Sequence, residues 1–236
     1  MLIKAITILS TIFYFIPFLI VLLRKCWTVK PVLLFSLYWV LGGILNLLIL
    51  ASASFSVSFN TGLDVFLNYY NVLDPLLVLG IMYFSSKSAI IKNSLLVTMC
   101  LLLAGILITA ILSGIKHETI KYVLGFGVVA VFLFALIEII NYIRKLVFHW
   151  HEEVMIYIYA AIVYEYGTYL FNYWFDYWYE NATAQEFLDS TLVYNLSTIV
   201  AVSISLASFL HSKLNPKKRE ETKKPNKPTE REIFYL

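Results

Sequence analysis

Seven apolar stretches, each roughly 18–23 residues long, dominate this chain of 236 residues, and each is long enough to cross a hydrocarbon core of about 30 Å as a helix. None shows the strict alternation of a barrel strand, and a helix satisfies its own backbone hydrogen bonds in lipid. The sequence therefore predicts an all-α, polytopic membrane protein, a bundle of seven transmembrane helices. The predicted spans are approximately 5–23, 31–52, 63–84, 93–113, 120–142, 153–175 and 190–212.

Charge is scarce and unevenly distributed. Only 14% of residues are charged, against about 25% in an average soluble domain. The first 212 residues hold ten Lys/Arg and eleven Asp/Glu, so the net charge of +3 comes from the tail at 213–236. We expect a membrane domain at 1–212 and a basic, disordered cytoplasmic tail after it, because the tail has too little apolar surface to fold. Nucleic acid is excluded as a partner, since no structured basic face is available.

The basic residues between the spans predict the orientation. Lysines and arginines follow spans 1, 3 and 5, whereas 53–62 and 176–190 contain none. Cytoplasmic connections carry the excess of Lys and Arg. The N-terminus is therefore predicted to lie outside and the C-terminus inside, with the chain as a multi-pass protein of the cell membrane, the inner membrane in a bacterium.

The stretch "NYYNVLDP" places polar residues inside the third span, at Asn68, Asn71 and Asp74. Their spacing of three keeps them along one side of a helix. Pro75 has no N–H, so the carbonyl of Asn71 loses its helical donor and the helix is expected to kink. Ionisable residues inside a span normally face the bundle interior or a wet cavity.

A second polar stripe of helical period runs along span 6, from Glu165 near mid-membrane to Asp176 near the outer end. Spans 2 and 7 add polar residues at matching depth. These groups predict one shared cavity that opens to the outside and binds a small ligand or a lipid. The predicted site consists of Asn46, Asn68, Asn71, Asp74, Glu165, Tyr169, Asn172, Tyr194 and Asn195.

Other parts of the chain carry weaker signals. Glu138 lies one turn from Arg144, and the simplest expectation is that it pairs with Arg144 or reaches the interface. Spans 1 and 4 have almost no strongly polar residue and are expected to face lipid. No Gly-rich phosphate loop, CxxC pair or HExxH motif is present, so neither a cofactor nor a metal site is predicted.

The segments "FLNYYNVLDPLLVLGIMYF" and "IVYEYGTYLFNYWF" resemble a group of small seven-span membrane proteins from Bacteroidota, which implies the fold but no activity. A more distant similarity is to the lysoplasmalogenase family of membrane hydrolases, through Lys30-Pro31 at the start of span 2. That family carries acidic motifs after this point, whereas residues 40–60 contain no Asp or Glu.

Four functions are compatible with these features. The first is a sensory or receptor-like protein that binds a small ligand in the cavity and signals through a protein partner at the cytoplasmic loops or tail. The second is an intramembrane lipid hydrolase, in which Asp74 and Glu165 act as a pair of carboxylates with different proton affinities. The third is a proton-coupled carrier that uses the same acids. The fourth is a scaffold subunit of a membrane complex.

Overall fold

The computed structural model describes residues 2–52, 57–112, 114, 117–144, 150–178 and 184–211, and within them the chain forms seven α-helices and one short 3-10 turn. The helices are α1 (Leu2–Leu23), α2 (Lys30–Ser52), α3 (Val57–Ser85), α4 (Ala89–Leu112), α5 (His117–Ile143), α6 (Trp150–Trp178) and α7 (Ala184–His211). The 3-10 turn, Cys26–Thr28, joins α1 to α2. The predicted tail at 213–236 lies outside the described residues.

Six helices, α1 to α6, contain a segment long and apolar enough to cross a membrane. The predicted membrane-embedded helical bundle is confirmed to that extent, and the chain is a multi-pass membrane protein. The apolar part of α7 is shorter, Leu192–Ala207. The helix as a whole has 28 residues and is therefore about 42 Å long at 1.5 Å per residue.

Pro75 lies inside α3, which continues without interruption from Val57 to Ser85. On the neighbouring helix α5, Gly127 provides room for the proline ring. A Cβ atom at Gly127 would come within 2.8 Å of Pro75 Cβ. Helices α3 and α5 therefore approach each other closely at the level of Pro75.

Six of the helices form a closed ring. In order around it they are α1, α2, α3, α5, α6 and α7, and α7 returns to pack against α1. Helix α4 lies outside this ring, against α3 and α5. Its buried residues, Ile91, Leu95, Leu102 and Ile106, follow one side of the helix, so the rest of its surface faces outward.

An apolar layer crosses the middle of the ring. We define it by Phe35, Leu79, Met82 and Ile162, which come from α2, α3 and α6 and are all fully buried. Polar groups lie on both sides of this layer. Asp74 precedes it on α3, and Ser85 follows it about 16 Å further along the same helix.

Candidate functional site

A cavity of about 410 Å³ lies between the six ring helices, on the Asp74 side of the apolar layer. Its walls come mainly from the second halves of α2 and α6 and the first halves of α3, α5 and α7, which all meet at the predicted outer end. The lining residues are Tyr14, Tyr38, Gly42, Leu45, Asn46, Ile49, Leu67, Tyr70, Asn71, Asp74, Leu124, Val128, Tyr169, Tyr173, Tyr194, Asn195 and Thr198. Ile49 and Asn71 are exposed, so the cavity reaches the molecular surface beside them.

Asp74 is 8% exposed and is held by tyrosine hydroxyls from two helices. Tyr70, one turn earlier on α3, donates to Oδ1 at 2.9 Å. Tyr166 on α6 donates to Oδ2 at 2.6 Å. The Tyr38 hydroxyl on α2 interacts with the same carboxyl. Asp74 thus connects three helices across the ring.

Glu165 lies behind the cavity wall and is 1% exposed. Tyr169 donates to its Oε1 at 2.9 Å, from one turn further along α6. The Trp39 indole on α2 interacts with this carboxyl, but Glu165 Oε2 and Trp39 Nε1 both lack a hydrogen bond of ordinary geometry among the described residues. Glu165 also interacts electrostatically with Asp74, so the two acids belong to one polar cluster.

Tyrosine rings form much of the remaining wall. Tyr169 lies between Tyr166 and Tyr194, with ring centroids 5.4 and 5.0 Å away, and these tilted arrangements are typical of favourable aromatic pairs. The hydroxyls of Tyr14 and Thr198 are 3.0 Å apart. Tyr173 donates to the backbone carbonyl of Lys121 at 2.7 Å. Most of these hydroxyls are therefore fixed in direction.

Six of the nine residues predicted for the site line the cavity: Asn46, Asn71, Asp74, Tyr169, Tyr194 and Asn195. Asn68 is half-buried and Asn172 is buried, but neither lines the cavity, and Glu165 lies behind it. Asn195 also joins α7 to α1, because it accepts a hydrogen bond from Ser10 and donates to Thr7 Oγ1 at 3.3 Å. The Tyr166–Asp74 hydrogen bond links the two predicted stripes of α3 and α6.

The structure corrects the expectation that span 1 only faces lipid. Helix α1 places Tyr14 in the cavity wall and Ser10 against Asn195. For α4 the outward-facing placement holds. Sequence reasoning missed Tyr14, Tyr38, Tyr70 and Tyr166 as site residues, because a tyrosine inside a span is more often a packing residue than a polar one. The available signal was the spacing of four between Tyr70 and Asp74, which places both on one helix face.

A second polar group, here called the basal cluster, lies on the other side of the apolar layer. It comprises Ser85, Lys87, Glu138, Tyr142, Glu152 and Tyr159. Ser85 Oγ and the Tyr159 hydroxyl are 2.9 Å apart, and Lys87 Nζ lies 2.9 Å from Glu152 Oε1. Glu138 is 4% exposed and interacts electrostatically with Tyr142 and Tyr159, so it faces the bundle interior and not the interface.

Within the described residues, no group of three or more His, Cys, Asp or Glu side chains is placed to hold a metal ion. No protein-family model, curated protein or solved structure matches this chain. The resemblances to the Bacteroidota proteins and to the lysoplasmalogenases therefore stay predictions.

Proposed function

We propose that this chain is a seven-span membrane receptor, which binds a small ligand in the cavity between its six ring helices. The observation that carries the proposal is the cavity itself. At about 410 Å³ it lies within the range of about 300–1,000 Å³ that small-molecule sites occupy. It combines apolar walls with a few converging polar groups, as such sites do.

The placement of the two acids favours binding over lipid hydrolysis. A two-carboxylate mechanism needs both groups beside the substrate, one as acid and one as base or nucleophile. Here Asp74 lines the cavity, whereas Glu165 lies behind it and bonds to Tyr169. The apolar layer favours a receptor over a carrier, because Leu79, Met82 and Ile162 separate the cavity from the basal cluster with fully buried apolar side chains.

The proposal includes the topology. Helix α7, at about 42 Å, is long enough to cross a core of about 30 Å even though its apolar part is short. With seven spans and the observed distribution of Lys and Arg, the N-terminus lies outside and the cavity opens outward in the cell membrane. Ligand binding would then be passed to a protein partner at the cytoplasmic loops or tail.

Thiol labelling tests both the cavity and its direction of opening. In a variant lacking Cys26 and Cys100, the cavity-lining Leu45 is replaced as Leu45→Cys and treated in intact cells with a membrane-impermeant methanethiosulfonate reagent. We expect rapid labelling from outside. Leu79→Cys in the apolar layer and Leu103→Cys on the outward face of α4 serve as matched controls and should stay unlabelled, because Leu79 is fully buried and Leu103 lies on an apolar helix that we expect to face lipid.

Two results would overturn the proposal. Leu45→Cys could remain unlabelled in cells and in purified protein, in which case the cavity is closed to water. It could instead react only in inverted vesicles, in which case the orientation is reversed. A cysteine placed at Asn215 in the tail should react only in inverted vesicles if the tail is cytoplasmic.

A further inference from the structure

We propose that the ligand is a small organic ammonium ion, bound through Asp74 and the tyrosine rings of the cavity. This inference rests on the proposed function and names the chemical class that the site would take. It follows from three properties of the cavity: its carboxyl group without a basic partner among the described lining residues, its supply of hydrogen-bond acceptors and its aromatic wall.

The cavity contains an acid and no base. Within the part of the chain that the structure describes, no lysine, arginine or histidine lines it. Lys121 is near in sequence to the cavity wall, but its ammonium lies 5.1 Å from the ring centroid of Tyr122, which is 65% exposed. A buried charge is costly unless it is paired. Asp74 therefore needs either a proton or a cation that comes from outside the chain.

The hydrogen bonds around Asp74 leave room for a cation. Both carboxyl oxygens accept from tyrosine hydroxyls, as the oxygens of an ionised carboxylate can. A carboxylate offers about four lone-pair sites, so acceptor capacity remains after these two bonds. Asn46 and Asn71 add amide oxygens to the same cavity. A primary ammonium group, with three donors and no acceptor, matches this set.

The aromatic wall provides the second part of the recognition. Six tyrosines line the cavity: Tyr14, Tyr38, Tyr70, Tyr169, Tyr173 and Tyr194. The face of an aromatic ring is negative and attracts cations, most strongly where water is excluded. An anion would meet these same faces and the Asp74 carboxylate unfavourably. The cavity thus selects by sign of charge, and its size leaves room for an attached apolar group.

Paired reagents of opposite charge test the sign of the electrostatic potential in the cavity directly. Purified full-length Leu45→Cys protein, without the two native cysteines, is treated with a trimethylammonium methanethiosulfonate and with its sulfonate counterpart. Each rate is divided by the rate with a small free thiol. We expect the cationic reagent to be favoured at least about tenfold, equivalent to about 1.4 kcal/mol. Asp74→Asn should reduce that preference to below about threefold, because it removes the charge and keeps an acceptor oxygen.

The outcomes separate this inference from the proposed function. Equal normalised rates for both reagents would leave an accessible cavity but overturn the ammonium class. A preference that survives Asp74→Asn would also overturn it, because the charge would then come from elsewhere. If neither reagent reacts, the proposal of an accessible cavity is wrong, and the ammonium inference that rests on it is wrong too. Thr98→Val on α4 is the matched control for the asparagine variant and should keep the full preference.

A competition experiment gives an independent readout with a real ligand. 2-Phenylethylamine, 2-phenylethanol and phenylacetate have nearly the same shape and differ in charge. The amine should slow the labelling of Leu45→Cys at concentrations at least about tenfold lower than the alcohol requires. Protection by the alcohol at the same concentration as the amine would show that charge is not recognised. Better protection by phenylacetate would reverse the assignment.

Discussion

The cavity and the basal cluster both combine a buried acid with tyrosines, and they differ in whether the chain supplies a cation to that acid. In the cavity, Asp74 accepts hydrogen bonds from tyrosines on α3 and α6 and has open space on its remaining side. In the basal cluster, Glu152 has the ammonium of Lys87 2.9 Å away, and Tyr159 is packed edge-on against Phe35. The first arrangement leaves capacity for a ligand, whereas in the second the chain itself supplies a cation to Glu152. A buried acid therefore indicates a binding site only when its charge is left to be balanced by something else.

The apolar layer keeps the two clusters apart, and breaking it should give the largest loss of stability. Leu79→Ala removes a fully buried side chain and leaves a void, which costs about 2–5 kcal/mol. SDS-induced unfolding in mixed micelles, followed by circular dichroism, measures the effect. Leu103→Ala on α4, where the side chain is 44% exposed, is the control and should lose less than half as much. Equal losses would mean that the layer is not tightly packed.

Removing one hydroxyl from each cluster compares them directly. Tyr166→Phe deletes a 2.6 Å donor to the buried Asp74 carboxyl, and a buried acceptor left unsatisfied costs about 1–3 kcal/mol. Tyr159→Phe deletes a bond to the Ser85 hydroxyl, and neutral bonds between membrane helices average about 0.6 kcal/mol. We expect the first variant to lose more unfolding free energy. The opposite order would indicate that the Tyr166–Asp74 hydrogen bond does not hold α3 and α6 together.

Two glycines test how closely α3 approaches its neighbours, α5 at Gly127 and α4 at Gly80. Gly127→Ala introduces a methyl group 2.8 Å from Pro75 Cβ, and overpacking of this kind costs about 1–3 kcal/mol. At Gly80 the nearest atom would be Met99 Sδ at 4.0 Å, so Gly80→Ala should be neutral or stabilising by up to about 1 kcal/mol. The same unfolding titration serves for both. A neutral Gly127→Ala would show that α3 and α5 can separate freely.

The smallest expected effect concerns the reactivity of Cys26, which reports on packing of the turn between α1 and α2. Cys26 lies in this turn, where burial raises the pKa of its thiol above the usual range and Arg24 opposes this in part. Because the thiolate is the reactive form, a raised pKa lowers reactivity at pH 8. Alkylation by iodoacetamide in a Cys100→Ala protein should be several-fold slower in the fold than after SDS unfolding. Identical rates would mean that the turn is open.

The helices could be predicted from the sequence, since apolar runs of sufficient length have few alternatives in lipid. The predicted and observed limits differ by only a few residues, except at the starts of α3 and α7, which begin at Val57 and Ala184 instead of 63 and 190. The first turns of α3 contain Ser58, Asn60 and Thr61, which interrupt the apolar run but not the helix. The acids Asp74 and Glu165 were also recognisable, because charge inside a span is rare.

What could not be predicted is which side chains meet. Helical period places Asp74 and Asn71 on neighbouring faces of α3 but does not say which helix they face. The partners of Asp74 come from α2, α3 and α6, and all are tyrosines, a residue type whose apolar ring and polar hydroxyl give opposite signals. The role of α1 was missed for the same reason, since Tyr14 reads as part of an apolar run.

Helix α4 has a topological role that its plain composition conceals. It supplies no wall of the cavity, and α3 and α5 contact each other without it. Helices α3 and α5 run in the same direction. After the end of α3, the chain must therefore return along the full length of the bundle before α5 can begin. Helix α4 is that return path, and its length is fixed by geometry while most of its surface is free to change. Deleting α4 would reverse the direction of α5, α6 and α7 in the membrane. The cavity would then be lost, although α4 lines no part of it.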